Sequence, residues 1–130
     1  MKILQGIDIT NINRIKNIYL KYGLKFLRRI LSDLEIKEII KIKSTEKIVE
    51  KTASRFAAKE AASKAIGTGF SNGVRFRHFE VFYDGFGRPE IVINDFVKRK
   101  ISKSEQQITS SLTISNEKDL TIALVTIVLI

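Results

Sequence analysis

The feature that most constrains this chain is a run at about residues 46–66, rich in Ala and Lys, free of Pro and Gly, and stopped by Gly67. Alanine and lysine are strong helix formers, and a glycine just beyond a helix closes it at little steric cost. This run is the longest helical signal in the chain. At about 100° per residue, Glu60 falls between Phe56 and Ala57 and in line with Val49 and Ala53, on the apolar side. A carboxylate facing a core is costly unless it is paired, hydrogen-bonded or bound to a metal. Lys64, one turn on, offers an i,i+4 partner. That pairing suits a solvated surface better than an apolar stripe, which favours a functional carboxylate.

The rest of the chain reads as short elements. Ile3, Gln5, Ile7 and Ile9 alternate with Leu4, Gly6 and Asp8, the period of an opening strand. Thr10, Asn11 and Asn13 offer N-caps for a helix carrying Ile15, Ile18, Tyr19 and Tyr22, which Gly23 ends or bends. A second short helix holds Phe26, Leu27, Ile30 and Leu31. Ser32 and Glu35 have capping-box spacing, so another helix starts at Asp33. Beyond Gly67-Thr68-Gly69 the pattern becomes strand-like. Residues 79–83 and 90–93 predict two strands joined by a turn-rich connection at 84–89. Asp95 is the expected cap of a helix through Ile101. Two last strands, at about 107–115 and 120–130, flank a polar turn at 116–119. Helices early and strands late predict an α+β fold: an N-terminal strand and helices followed by antiparallel strands, with the opening strand joining the later sheet. The length suits one domain, 1–130, and neither repeat nor linker interrupts it.

Composition narrows the function classes. Hydrophobic residues make up 44%, which excludes a disordered chain. The terminal apolar run at 120–130 falls well short of the roughly 20 residues a helix needs to span a bilayer, so no membrane role is expected. No signal peptide is visible at the start and there is no cysteine, which makes the cytoplasm the expected location. The net charge of +9 is unevenly placed: residues 1–64 hold 15 Lys/Arg against 7 Asp/Glu, and residues 65–130 hold 8 against 7. A basic first half implies an anionic partner, and charge alone leaves nucleic acid, lipid, phosphorylated ligand and acidic protein open.

Several side chains stand out chemically. Asp8 lies inside an apolar strand, where Asp is disfavoured; it either ends the strand and helps cap the next helix, or it serves a site. Two carboxylates from distant segments, Asp8 and Glu60, suit a hard cation such as Mg²⁺, which usually takes one or two carboxylates plus waters and phosphates. Arg55, Lys59 and Lys64 flank Glu60 along the helix, which makes phosphate a natural third party. Gly67-Thr68-Gly69 can bring amides to a phosphate, although glycine after a helix is usually only a cap, and no Walker loop is present. Arg14, Lys21, Lys25 and Arg28 share one helical face if the helix continues through Gly23. A solvated face is the ordinary explanation; with Ile18, Leu24 and Phe26 beside it, a docking surface for an acidic helix is the other. His78 sits between basic neighbours, and nothing places it beside a nucleophile. A nucleic-acid-binding module would account for the charge, but not for Glu60.

Asp8 within Gly6-Ile7-Asp8-Ile9, with the segment from Arg55 through Glu60 and Lys64 to Gly69, resembles the holo-acyl-carrier-protein synthases of the 4′-phosphopantetheinyl transferase superfamily. Arg14, residues 26–32, Phe79-Glu80-Val81, Gly87-Arg88-Pro89 and the final hairpin extend the resemblance over nearly the whole chain. It implies a transferase moving 4′-phosphopantetheine from coenzyme A to a serine of an acyl carrier protein. Asp8 and Glu60 would hold Mg²⁺, which also binds the coenzyme A pyrophosphate. Lys64 would lie near the phosphates and assist proton transfer. Arg55, Gly67, Arg88 and Pro89 match positions around the nucleotide, and Arg14, Lys21, Lys25 and Arg28 would receive the acidic carrier. A homotrimer with active sites between subunits is implied as well. Nucleic acid is not expected as a partner. One departure stands out. Many members carry Ser-x-[Ser/Thr]-His before the last strand, and here the residues are Thr113, Ile114, Ser115 and Asn116. Asparagine keeps hydrogen-bonding capacity but cannot become cationic, which alters the expected contact with the nucleotide phosphate.

Overall fold

The computed structural model describes residues 1–103 and 105–130. In chain order it contains β1 (Lys2–Asn11), α1 (Ile12–Tyr22), α2 (Leu24–Ile30), α3 (Asp33–Ile39) and α4 (Thr45–Ile66), then a 3-10 turn at Phe76–His78. These are followed by β2 (Phe79–Tyr83), β3 (Pro89–Ile93), α5 (Asp95–Ile101), β4 (Ile108–Glu117) and β5 (Leu120–Leu129). The α+β expectation holds. β1 pairs antiparallel with β5, which pairs antiparallel with β4, so the opening strand does join the last hairpin. β2 and β3 form a separate antiparallel hairpin, tied to β4 where Ser110 Oγ donates to the Ile91 carbonyl at 2.9 Å.

α4 lies on the inner face of the three-stranded sheet. Ala57, Ala58, Ala61 and Ala62 are fully buried in one cluster with Ala123, Val125 and Ile127. Small side chains let the helix backbone come close to the sheet, and Gly6 takes this to its limit. A Cβ at Gly6 would collide with the Ala61 carbonyl oxygen and the Ala65 amide nitrogen. The N-terminal half of α4 meets a second core of α1, α2 and α3, including Ile15, Leu27, Ile39 and Val49.

A buried ionic hub joins these layers. Lys59 is wholly buried and Glu35 is 1% exposed; their Nζ and Oε1 lie 2.5 Å apart. Lys59 also donates to the Ile30 carbonyl at 2.7 Å. Glu35 accepts from the Ser32 amide at 2.8 Å and from the Val81 amide at 3.1 Å. One carboxylate therefore caps α3, holds α4 and fixes β2. Burial, more than any neighbour, lowers the Lys59 pKa, with Glu35 opposing that shift.

α1 and α2 are separate helices, as expected, because Gly23 adopts φ 56° and ψ −132° between them; the condition for one continuous basic face is not met, and the stripe is carried on two elements. Two local expectations change. Asn94, not Asp95, caps α5, its side chain accepting from the Phe96 amide at 2.8 Å. Asn116 and Glu117 remain paired in β4, so the final turn is only Lys118-Asp119.

Along β1 the alternation is real, and its apolar face points outward. Ile3, Ile7 and Ile9 are 55%, 58% and 62% exposed, while Leu4, Gly6, Asp8 and Thr10 turn towards α4.

Candidate active site

Asp8 reaches the site from β1, which is an edge strand of its sheet. Thr10, two residues on and on the same face, donates its hydroxyl to Asp8 Oδ2 at 2.7 Å. Lys64 Nζ donates to Asp8 Oδ1 at 3.1 Å and to the Ile7 carbonyl at 3.0 Å. The Asp8 side chain is 13% exposed and that of Lys64 is 53% exposed. Asp8 does not cap α1; Asn11 does, accepting from the Asn13 and Arg14 amides. The side chain that interrupts an apolar strand is therefore held in place for something else.

Glu60 is half-buried on α4, one turn before Lys64. Burial raises its carboxyl pKa, the charge of Asp8 raises it further, and Lys64 and Arg14 pull the other way. The charge of Asp8 is thus felt at Glu60, which makes the two carboxylates neighbours across the β1–α4 contact and candidates for one site. Lys64 takes Asp8, not Glu60, as its ionic partner, so the i,i+4 pair within the helix is not formed. The candidate donor set is two carboxylates, that of Asp8 mostly buried and paired with an ammonium, that of Glu60 half-buried. Hard oxygens of this kind fit Mg²⁺. Among the described residues, no cluster of three or more metal-ligating side chains occurs, so an ion here would rely on substrate or water for its remaining ligands.

The other candidate residues divide by location. Gly67 caps the same helix in the left-handed conformation, its amide bonded to the Ser63 and Lys64 carbonyls, which leaves it a cap. Lys59 is not free to meet a phosphate, because Glu35 and the Ile30 carbonyl hold its ammonium inside the core. Arg55 is also withdrawn: it is 2% exposed and paired with Glu38 at 3.3 Å. Its Nε lies 3.4 Å from Glu35 Oε2 yet forms no hydrogen bond, so that contact is ionic only. The Arg55 guanidinium also lies 5.2 Å from the Tyr83 ring centre. Arg88 is exposed in the β2–β3 connection and Pro89 opens β3. There the Asp84 carboxylate fixes the turn by accepting from the Phe86 and Arg88 amides.

Thr113 and Asp8 lie on opposite faces of the sheet. Register pairs Thr113 with Leu124 and Leu124 with Ile7, whereas Asp8 pairs with Ala123 and Ala123 with Ile114. Asn116 shares the inner face, but it lines a groove of about 420 Å³ with Asn13, Glu46 and Glu50. That groove lies along the other half of α4, about 15 Å from Glu60 at 1.5 Å of rise per residue. One chain therefore pairs Asp8 with Lys64, one helical turn from Glu60, and does not bring Thr113 or Asn116 to them.

The basic residues of the first half surround an aromatic ladder. Arg14 lies 5.5 Å from the Phe56 ring centre; Phe56 stacks on Phe76 at 5.4 Å and Phe76 on Phe70 at 4.0 Å. Lys21 lies over Tyr22. Lys25 and Arg28, on α2, line a cleft of about 700 Å³.

In the sequence Glu35 reads only as a local helix cap and Thr10 as one of several possible caps, and the one signal for Gly6 is its place two residues before the odd aspartate.

The chain is similar to known proteins over nearly its whole length. A family model described as the 4′-phosphopantetheinyl transferase superfamily matches residues 5–125. A holo-[acyl-carrier-protein] synthase of Hamiltonella defensa is 40% identical over 120 residues, covering 92% of both chains. The crystal structure of the Neisseria meningitidis holo-[acyl-carrier-protein] synthase superposes with a TM-score of 0.80 at 32% identity, over 95% of this chain and 96% of that one. The Bacillus anthracis holo-(acyl-carrier-protein) synthase, solved in complex with CoA (3′,5′-ADP), gives 0.75 at 35% identity over 95% and 94%.

Proposed function

This chain belongs to the 4′-phosphopantetheinyl transferase superfamily, and from that we infer that it is a holo-[acyl-carrier-protein] synthase. It transfers the 4′-phosphopantetheine group from coenzyme A to a serine of apo-acyl carrier protein. The products are holo-acyl carrier protein and adenosine 3′,5′-bisphosphate, and the reaction supports fatty acid biosynthesis. The single observation that carries the reading is the Asp8–Lys64 ion pair across the contact of β1 with α4, one helical turn from Glu60.

Asp8 and Glu60 would hold a Mg²⁺ ion, which when bound neutralises and orients the pyrophosphate of coenzyme A. Asp8 is preset for this by the Thr10 hydroxyl on one oxygen. Glu60, whose charged form is disfavoured by burial and by Asp8, gains most from a neighbouring cation or an incoming proton. Lys64 keeps one donor beyond the two it uses on Asp8 and the Ile7 carbonyl, and that donor can meet a phosphate oxygen. In the reaction the serine hydroxyl oxygen bonds to the β-phosphorus, the bond to the bridging oxygen breaks, and the serine proton passes to Glu60 or to water. Gly67, Arg88 and Pro89 are the proposed nucleotide neighbours. Arg55 would act indirectly, by bracing Tyr83 beside that hairpin.

We further propose a homotrimer of single-domain chains, 1–130, working in the cytoplasm. Support for assembly is the outward face of the sheet. Ile3, Ile7 and Ile9 are more than half exposed beside Ile122 and Leu124 on β5, and a contiguous apolar patch of this kind marks an interface. Thr113 lies on that same face, where a neighbouring subunit's nucleotide would meet it. Sedimentation that finds only monomer at working concentration would remove this assembly. For location the support is the lack of cysteine. Among the described residues no helix is long and apolar enough to cross a membrane.

Arg14, Lys21, Lys25 and Arg28 are the proposed contacts to the acidic carrier. The function is tested by incubating apo-carrier protein, coenzyme A and Mg²⁺ with the protein and weighing the carrier by mass spectrometry. The reading predicts one added phosphopantetheine with the native chain and none with Glu60→Ala. An unmodified carrier with the native chain refutes it.

A further inference from the structure

The cleft beside α2 has two basic walls, and only one of them belongs to the stripe described above. Lys25, Arg28 and Arg29 form the α2 side. Facing them across about 700 Å³ are Arg75 and Arg77, which flank Phe76 at the 3-10 turn before β2. All five side chains are exposed. No Asp or Glu lines the cleft, and among the described residues neither Arg75 nor Arg77 makes an ion pair. Cations gathered around one hollow repel each other, so their placement does not serve the stability of the free chain.

The local structure explains how this wall is presented. Phe76 turns inward and stacks between Phe56 and Phe70, so its neighbours Arg75 and Arg77 turn outward. The segment is fixed, because the Arg75 amide donates to His78 Nδ1 at 2.9 Å and the His78 ring packs on Phe96. The floor is apolar: Phe26 is buried, and Phe70 and Phe76 are half-buried. Through Phe56 this floor continues to α4, one turn before Glu60.

We propose that Arg75 and Arg77 are specificity-determining contacts that close the carrier-protein docking cleft from the side opposite α2. The occupant is an acidic, amphipathic helix of the carrier. Its carboxylates would face both basic walls, and its apolar side would cover the phenylalanine floor. A nucleic acid fits less well, because Phe70 and Phe76 are stacked on each other at 4.0 Å and leave little ring face for a base. The inference rests on the transferase reading, and it adds a second wall from a separate segment.

The test is steady-state transfer with the double variant Arg75→Glu/Arg77→Glu in the full chain, varying carrier protein at saturating coenzyme A. The expected result is a rise of about tenfold or more in KM for the carrier and a shallower salt dependence of kcat/KM. The KM for coenzyme A and the turnover at saturating carrier should stay at the native values. Arg75→Gln/Arg77→Gln, which removes charge without reversing it, should fall between. Arg99→Glu/Lys103→Glu makes the same change in net charge away from the cleft and should leave the carrier KM unchanged. An unchanged carrier KM in the first variant overturns the proposal. So does an equal rise in the last variant, or inhibition by a short DNA duplex as strong as the competition from unlabelled carrier. Native protein that modifies no carrier at all refutes the transferase reading itself.

Discussion

Lys64 Nζ sits 3.1 Å from Asp8 Oδ1, so the lysine one turn after Glu60 is committed to the other carboxylate of the pair. It links α4 to β1 and places its positive charge where a divalent ion would compete for Asp8. Replacing Lys64 by Met removes that competitor. The variant should bind Mg²⁺ as well as the native chain or better, while transfer falls by about tenfold or more for want of a phosphate donor. Metal titration alongside turnover checks this. Loss of metal binding in Lys64→Met would show that the lysine builds the site instead of competing for it.

Gly6 sets how closely β1 approaches α4. Because a Cβ there would collide with backbone atoms at Ala61 and Ala65, neither neighbour can move aside by rotating a side chain. Gly6→Ala should therefore destabilise by at least the 1–3 kcal/mol or so typical of overpacking. It should also lower transfer, because separating β1 from α4 separates Asp8 from Glu60. Thermal melts and turnover measure the two effects. A variant as stable and active as the native chain would mean that the strand–helix contact does not position the site.

Much of this was legible in sequence, for reasons specific to each residue. Glu60 announced itself because a carboxylate on an alanine-rich face breaks the pattern of its helix, and Asp8 because it breaks a strand. Element order followed from period and capping. The partner of Lys64 was not legible: spacing offers Glu60 at four residues, and only the β1–α4 contact brings Asp8 nearer. Nor was the fate of Arg55 and Lys59. Both look like phosphate ligands beside Glu60, yet α4 turns them towards Glu35, whose capping role hid its long-range one. The alternation along β1 does not say which face is buried, and the structure turns its isoleucines outward because the inner face carries Gly6 against α4.

Glu60 carries a pH-dependent stability cost, because burial and the charge of Asp8 raise its pKa. In the unfolded chain its carboxyl ionises near the ordinary value. As pH rises past that value the unfolded state loses its proton before the native state does, so stability falls until the native carboxyl ionises too. With a chelator present, Glu60→Gln should remove this fall and melt higher than the native chain at neutral pH. The same substitution should lower transfer by about 100-fold or more, at or beyond the upper end of what loss of an outer-shell partner costs, because Glu60 is one of the two proposed metal ligands. Identical melting profiles from about pH 4 to pH 7 would contradict the proposed desolvation of Glu60.

Lys59 and Glu35 test the scaffold rather than the chemistry. Lys59→Met leaves a buried carboxylate without its closest counter-charge, a change that typically costs about 3–5 kcal/mol. The cost should lie at the low end, because the Ser32 and Val81 amides still donate to Glu35. Denaturant unfolding reads this directly. A loss below about 1 kcal/mol would place the pair among interactions of surface strength.

The most direct test of the central claim is a Mn²⁺ titration followed by electron paramagnetic resonance, with coenzyme A present, on native protein, Asp8→Ala and Glu60→Ala. Two carboxylates sharing one ion predict a single bound Mn²⁺ per site in the native protein and its loss in each variant. Native affinity retained in Asp8→Ala or in Glu60→Ala, with the fold intact by circular dichroism, would contradict it.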